Sequence, residues 1–323
     1  MRKILLATAA FGAMIVPALQ SAPASAGAPG KVWVSNAGTD TATCGATATP
    51  CKTLLTAVAN VAAGGDIGVL TPGDYGLAVI GKAVNITNDG MGEALVQPLG
   101  ALQFGVHINA GAGDVVTLRG LVMDGQVSGV NGIAVVQASA VHVQNCVIRN
   151  FEAINAFGIE HEGGQLFVSD TMILNNGSNA TSGGIHVYTF GKNASVVLDR
   201  IHMENNVRGL WVDGTGGAGP GAHVLIRDSV VSGNASDGIL ASTTPGLSPA
   251  FIVVEHTTSV SNAGTGIRTD GPGATILLND DTVTRNSVGI GAANGGQLIS
   301  YGNNKVNNNI GPDGAPTGSY SPI

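Results

Sequence analysis

Residues 132–157 read GIAVVQASAVHVQNCVIRNFEAINAF, and the same pattern starts again at Gly158-Ile159. A glycine followed by Ile, Leu or Val opens nine such stretches, separated by 29, 27, 26, 26, 25, 29, 28 and 23 residues. The nine glycines are Gly76, Gly105, Gly132, Gly158, Gly184, Gly209, Gly238, Gly266 and Gly289. A repeat of this length is too short for a pair of helices and is rich in β-branched residues. It therefore predicts one coil of a parallel β-solenoid.

A second register runs in step with the first. Each coil has a turn-prone residue preceded by apolar residues two and four positions earlier, as in Val141, Val143 and Asn145. Alternating apolar residues indicate a strand with one buried face. A shorter strand follows the turn, and an asparagine usually closes it: Asn150, Asn176, Asn206, Asn234, Asn262, Asn286 and Asn309. Because Asn and Asp tolerate left-handed backbone angles, both positions predict sharp corners, with three short strands in each coil.

The pattern from Tyr75 to about Asn309 resembles the right-handed parallel β-helix of the pectin-lyase-like superfamily. The preceding segment resembles the start of many secreted β-helix proteins, in which a short amphipathic helix caps the first coil. Its apolar stripe consists of Leu54, Leu55, Val58, Val61 and Ala62. The resemblance implies an all-β fold: a right-handed parallel β-helix solenoid of about nine coils with a short N-terminal capping helix.

The chain divides into four segments on sequence grounds. Residues 1–26 combine Arg2-Lys3, an apolar run and the small residues Ala24-Ser25-Ala26, which is typical of a secretory signal peptide. Residues 27–74 form the N-terminal cap, 75–310 the parallel β-helix, and 311–323, rich in Gly, Pro and Ser, a flexible tail. We therefore expect a secreted or periplasmic protein with no membrane span in its mature form.

The charge balance argues against two classes of partner. The chain has 14 Lys and Arg against 21 Asp and Glu, a net charge of −7, which becomes −9 once Arg2 and Lys3 are removed with the signal peptide. Because it contains no basic run, neither nucleic acid nor an anionic membrane surface is an expected partner.

Three cysteines fit an exported protein. Cys44 and Cys51 lie seven residues apart in a Gly-, Thr- and Pro-rich loop, which predicts a small disulfide rather than a metal site, because no further Cys or His is close in sequence. Cys146 falls inside a repeat and is expected to be a small corner or core residue.

Candidate binding residues occupy outward positions of the strands that the Gly-Ile pairs open. In the central coils these positions hold aromatic and charged residues: Glu160, Glu162, His186, Tyr188, Trp211, Asp213, Arg268 and Asp270. Apolar sugar faces stack on Trp or Tyr while carboxylates accept hydroxyl hydrogen bonds, so this set favours a saccharide groove. The alternative is that these residues are ordinary solvated side chains of an exposed sheet face.

Catalysis at this cluster is the second interpretation. A polysaccharide lyase or glycoside hydrolase would act at the Glu160–Asp213 cluster. For a lyase, His186 or Tyr188 could abstract the proton, and a Ca²⁺ held by Glu160, Glu162 and Asp213 could neutralise the uronate carboxylate. The sequence departs from the enzymes of the superfamily, since it lacks the Trp-Ile-Asp-His run of pectate lyases, the Asn-Thr-Asp and Gly-His-Gly motifs of polygalacturonases and the Asp-Pro-His-Asp motif of alginate epimerases. We expect a protein that binds polysaccharide or another extracellular surface, with no assigned catalysis, metal or cofactor.

A third interpretation rests on an outward column that is unusually apolar: Phe167, Val197, Leu225, Val253 and Leu277. One apolar residue in each of five adjacent coils makes a continuous stripe, which is typical of an interface. The stripe predicts either a homo-oligomer, as in an assembly or adhesion protein, or a surface that a loop or the C-terminal tail covers.

Overall fold

The computed structural model describes residues 27–99 and 103–321, so the predicted signal peptide lies outside the described residues. The chain winds through three parallel β-sheets, and each strand pairs with the equivalent strand of the coils before and after it. Nine strands in one of the sheets correspond to the nine predicted coils. The fold is therefore the expected all-β solenoid, with almost no helix.

The strands of each sheet are as follows. The twelve-stranded sheet contains Lys31–Val34, Gly65–Val69, Val84–Thr87, Val115–Arg119, Ala140–Gln144, Gly164–Ser169, Asn193–Asp199, Gly221–Arg227, Ala250–Glu255, Ala274–Asn279, Gln297–Ser300 and Gly318–Ser319. The ten-stranded sheet contains Gly73–Asp74, Ala94–Val96, Val122–Asp124, Val147–Arg149, Met172–Leu174, His202–Glu204, Val230–Ser232, Thr258–Val260, Thr282–Thr284 and Lys305–Val306. The nine-stranded sheet contains Ala78–Ile80, Phe104–Asn109, Asn131–Gln137, Phe157–His161, Gly183–Tyr188, Leu210–Asp213, Ile239–Ser242, Thr265–Asp270 and Val288–Ala293.

The corner between the twelve-stranded and ten-stranded sheets is the same in seven consecutive coils. From Arg119 to Thr282, two residues connect the strands each time, and the first of them has a positive φ: Gly120, Asn145, Asp170, Arg200, Asp228, His256 and Asp280. The two corners that flank the nine-stranded sheet vary in length. Within these seven coils, the differences in repeat length are therefore absorbed beside this sheet.

The glycines of the Gly-Ile pairs are required by close packing between coils. A Cβ on Gly132 would lie 2.3 Å from Ile148 Cγ2, and a Cβ on Gly209 would lie 2.4 Å from Val231 Cγ1. The core is a set of inward stacks, such as Val143, Val168, Leu198, Ile226, Val254 and Leu278, each at most 1% exposed. The first coil differs from the expected register: Ala78 and Ile80 are buried and Val79 is exposed, because this strand starts at Ala78 and not after Gly76.

The closing asparagines fall into two groups, which corrects their assignment as left-handed corners. Asn150 has a φ of 61°, as expected. The other closing asparagines have ordinary φ and point inward, because the residue before most of them carries the positive φ. From Asn176 to Asn286, the backbone N–H of each asparagine donates a hydrogen bond to Oδ1 of the next one in the series: Asn176, Asn206, Asn234, Asn262, Asn286 and Asn309. These six residues form an asparagine ladder through the core.

The N-terminal cap contains the helix Leu54–Asn60, which packs against the first strands of the nine- and twelve-stranded sheets. Its buried face is Leu54, Ala57 and Val58, with Val61 following; Leu55 is exposed and Ala62 half-buried, so the expected stripe was partly wrong. Cys44 and Cys51 form a disulfide, and Cys146 is a buried core residue. In the described part of the chain, no helix has the length and apolar character of a membrane span.

The apolar column lies in register along the twelve-stranded sheet. Phe167, Val197, Leu225, Val253 and Leu277 pair in sequence and are half-buried. The C-terminal tail does not lie across them: Gly318–Ser319 pairs with Ile299 and Ser300 in the last coil. The tail thus extends the end of the stack, and the column stays a candidate interface.

Candidate functional site

Four of the eight predicted site residues, Glu160, His186, Tyr188 and Trp211, line an open cleft on the nine-stranded sheet. The cleft has a volume of about 370 Å³. It is lined by Asn155, Phe157, Glu160, Thr181, His186, Tyr188, Phe190 and Trp211. Because Glu160, His186 and Trp211 occupy one register position of three adjacent strands, the strand pairing itself brings them together.

His186 lies at the centre of this arrangement, between two carboxylates. Its Nδ1 is 3.6 Å from Glu160 Oε1, and its Nε2 is 3.6 Å from Asp213 Oδ2. These contacts are ion pairs longer than hydrogen bonds. His186 points outward yet is only 6% exposed, because the rings of Phe157, Tyr188 and Trp211 pack around it at centroid distances of 4.4, 5.3 and 4.6 Å.

The positive charge of His186 and the negative charges of Glu160 and Asp213 stabilise one another. Burial lowers the pKa of His186, but Asp213 and Glu160 outweigh burial and raise this pKa above its usual value. Burial raises the pKa of Glu160 and Asp213, but His186, together with Asn131 at Glu160 and Thr215 at Asp213, lowers both below their usual values. The structure therefore favours an imidazolium held between two carboxylates, with one net negative charge.

Three aromatic rings form the accessible surface of the cleft. Trp211 donates its Nε1 hydrogen to Ser242 Oγ at 2.8 Å, which fixes the ring, and the Arg208 guanidinium lies 4.6 Å from the ring centroid. Tyr188 packs edge-on against Phe190 at 4.1 Å, and Gly216 of the following loop lies against Tyr188. That loop therefore covers part of Tyr188, while Trp211 stays half-exposed.

Phe190 has a backbone conformation that side chains of its size rarely adopt. Its φ is 46° and the residue is 53% exposed. A bulky residue in this region costs on the order of 1 kcal/mol, and such strain is concentrated at ligand sites. An exposed phenylalanine held at that cost beside Tyr188 is consistent with a binding role.

The remaining predicted site residues lie outside the cleft. Glu162 binds Lys192 Nζ at 2.9 Å, and Arg268 Nη2 binds Asp270 Oδ2 at 2.6 Å. Glu160, Glu162 and Asp213 do not form the expected Ca²⁺ ligand set. Among residues 27–99 and 103–321, the converging group of three His, Cys, Asp or Glu side chains is Asp40, Cys44 and Cys51, whose two sulfurs are in the disulfide.

Sequence reasoning missed four residues that line the cleft. Asn155 and Thr181 lie in the variable corners before two strands, and Phe157 begins a strand whose inward and outward positions were counted from Gly158. Phe190 lies two residues after Tyr188, beyond the strand end, and has a positive φ. A search for aromatic residues within three positions of the outward residues would have found both phenylalanines.

The comparison with protein families agrees with the winding of the chain. The family model described as a right handed beta helix region matches residues 131–310, more than half of the sequence. This chain belongs to the right-handed β-helix family. The right-handed β-helix that the sequence pattern indicated is therefore confirmed. No curated protein matches the sequence.

Solved structures of the same fold are distant in sequence. ORF18 of Geobacillus virus E2 is 11% identical, with a TM-score of 0.51 over 79% of this chain and 56% of that one. Pectate lyase Pel9A is 13% identical, with a TM-score of 0.49 over 90% and 80%. The A-module of a mannuronan C-5 epimerase from Azotobacter vinelandii is 14% identical, with a TM-score of 0.47 over 80% and 91%. The likeness at these identities shows the fold alone.

Proposed function

We propose that this protein is exported and binds a polysaccharide in the cleft on its nine-stranded sheet. One observation carries the proposal: the partly exposed rings of Tyr188, Phe190 and Trp211 line an open cleft of about 370 Å³ together with Glu160. Sugar rings present apolar C–H faces and a rim of hydroxyls, so they fit aromatic surfaces beside a hydrogen-bond acceptor.

The polar residues of the cleft support orientation of a bound sugar. Glu160 Oε2 accepts a hydrogen bond from Asn131 Nδ2 at 2.7 Å, which fixes the carboxylate. Asn155 and Thr181 are hydrogen-bonded to each other at the cleft edge, and both are exposed. A fixed acceptor and exposed amide and hydroxyl groups are suited to sugar hydroxyls.

The charge states favour binding over catalysis. A glycosidase needs a carboxylic acid whose pKa is raised, but the pKa values of Glu160 and Asp213 are both lowered. A lyase needs a base, but the pKa of His186 is raised and both of its nitrogens face carboxylates. Glu160 and Asp213 therefore do not fit the role of the acid, and His186 does not fit the role of the base.

Affinity electrophoresis of the purified protein against a panel of soluble polysaccharides tests the proposal. Reducing ends and unsaturated products are assayed in parallel, and we expect retardation without product. Trp211→Ala should weaken binding roughly 5- to 150-fold. Tyr320→Ala, which removes a 52% exposed aromatic side chain at the C-terminal end, is the matched control. Absence of binding across the panel, or a Trp211→Ala protein that binds like the wild type, would contradict the proposal.

A further inference from the structure

The cationic side chains on the nine-stranded sheet affect which class of saccharide the cleft can bind. Four cationic side chains lie on or beside the central strands of the nine-stranded sheet: His186, Lys192, Arg208 and Arg268. An acidic sugar polymer requires a cation that is free to approach its carboxylate. The partners of each cation therefore decide whether the cleft can accept an acidic ligand.

Three of the four cations are paired with carboxylates. Lys192 Nζ contacts Glu162 Oε2 at 2.9 Å and the Val136 carbonyl at 3.1 Å. Arg268 contacts Asp270 at 2.6 Å and Asp237 at 3.7 Å. His186 lies between Glu160 and Asp213.

Arg208 is the cation nearest to the exposed Trp211 ring. Its Nη1 donates to the Ala180 carbonyl, and its guanidinium stacks on the ring of Trp211. Arg208 has no carboxylate partner, but it is not among the residues that line the cleft, and its unpartnered Nε is buried.

The charge that faces the cleft is negative. The Glu160 side chain is partly exposed there, whereas its partner His186 is buried and is shared with Asp213. A ligand carboxylate in the cleft would lie close to Glu160, and the one cationic residue of the lining is the buried His186, so like charges at short range repel. The chain as a whole carries −7, so approach of a polyanion is also disfavoured.

On the basis of the proposed function, we propose that the cleft binds a neutral polysaccharide and discriminates against polymers of uronic acids. Uncharged pyranose rings would stack on Trp211 and Tyr188 through their C–H faces, and a hydroxyl would donate a hydrogen bond to Glu160. Removing the carboxylate of a sugar polymer should therefore strengthen its binding.

Matched pairs of polymers with the same linkage test this inference. Polygalacturonate, mannuronan and glucuronan are each compared with their carboxyl-reduced derivatives by affinity electrophoresis at low and high salt. At low salt we expect at least one reduced polymer to bind at least tenfold more tightly than its acidic parent. Because the discrimination is electrostatic, the difference should shrink at high salt.

Two variants separate the role of Glu160 from general charge. Glu160→Gln should reduce the discrimination between acidic and reduced polymers, while Glu255→Gln, on the twelve-stranded sheet, should leave it unchanged. Equal or tighter binding of an acidic polymer would overturn the neutral-ligand inference and leave saccharide binding intact. Failure of all six polymers and of the wider panel to bind would overturn both.

Discussion

Asp313 accepts two hydrogen bonds from Asn309: its Oδ1 lies 3.1 Å from the Asn309 backbone nitrogen and 2.8 Å from Asn309 Nδ2. In the preceding coils, this acceptor position is filled by the side chain of the next asparagine in the ladder. Asp313 therefore ends the asparagine ladder by supplying the acceptor that a further coil would have supplied. It also places residues 311–313 of the tail on the last coil, where Gly289 and Ile290 donate to Pro312 and Asp313.

The position of Asp313 predicts a graded loss of stability along the ladder. Asp313→Ala should lower the free energy of unfolding by about 1 kcal/mol, because Asn309 is partly exposed and water can replace the acceptor. Asn234→Ala should cost roughly 2–3 kcal/mol, because it leaves the buried Asn206 N–H without an acceptor. Denaturant unfolding measures both values. Asp313→Asn keeps the acceptor and is the control. Equal losses of unfolding free energy in Asp313→Ala and Asn234→Ala would contradict the prediction that the loss is smaller at the end of the ladder.

Asp281 predicts a stability that falls as the pH rises. Burial raises the pKa of Asp281 to about 7, although it accepts hydrogen bonds from the Thr257 and Asn279 backbone nitrogens at 2.9 and 3.0 Å. Since the folded pKa exceeds the usual value, the contribution of this group is fully present below pH about 4 and is lost as the pH rises to about 7.

A threonine at this corner should remove that dependence. The equivalent residue Thr171 uses its hydroxyl to accept from the Cys146 N–H and to donate to the Ser169 carbonyl. Asp281→Thr should therefore raise the free energy of unfolding above pH 7 by roughly 1–4 kcal/mol, with little change near pH 4. Unfolding measured from pH 4 to 8 checks the effect, and parallel profiles for the two proteins would contradict it.

The pairing of His186 with Asp213 predicts a pH window. The raised pKa of His186 gives stability that is fully present below pH about 6.5 and is lost as the pH rises through the folded pKa. The lowered pKa of Asp213 gives stability that is present above pH about 4 and is lost on acidification. The stability difference between the wild type and Asp213→Asn should therefore be largest from about pH 4.5 to 6.5.

Asp213→Asn is a conservative change, because its side-chain oxygen can still accept from the Thr215 N–H. An NMR titration of His186 gives an independent measurement, in which the variant should show a lower pKa. A His186 pKa that is the same in both proteins would show that Asp213 does not stabilise the imidazolium.

The apolar column predicts self-association. Leu225 pairs with Val197 and Val253 on the exposed face of the twelve-stranded sheet, and we expect a dimer or trimer that buries this face. Leu225→Lys should give a monomer with an unchanged melting temperature, because an outward lysine reaches water. Light scattering checks the mass, with Thr282→Lys on the ten-stranded sheet as the control. A wild type that is monomeric at high concentration would contradict the interface.

The period of the repeat was enough to predict the fold. The Gly-Ile pairs and the alternating apolar residues fixed the coils because inward residues must stack and because Gly132 and Gly209 leave no room for a Cβ. The clustering of Glu160, His186 and Trp211 followed from the same register. The inward direction of Asn234 could not be predicted, because an asparagine suits both a left-handed corner and a buried ladder.

The variable corners limited prediction of the site. Phe190 and Asn155 reach the cleft through corner geometry that no repeat specifies, and the pairing of Glu162 with Lys192 joins residues 30 apart. The period of the repeat predicts the positions of residues in strands. In corners of variable length, the direction of a side chain depends on local backbone angles such as the φ of Phe190. The site was therefore predicted where it lies on strands and missed where it lies on loops.

The invariant two-residue corner has a consequence for engineering the protein. Because one corner is fixed in the seven coils from Arg119 to Thr282 and the two corners beside the nine-stranded sheet vary in length, both rims of the cleft can accept insertions while the core stacks stay in register. Segments inserted after Asn176, beyond the ladder, or after Phe190 would project beside Trp211 from opposite edges of the same sheet. The rod is thus a scaffold on which recognition loops can be exchanged by grafting, with the solenoid as an inert support.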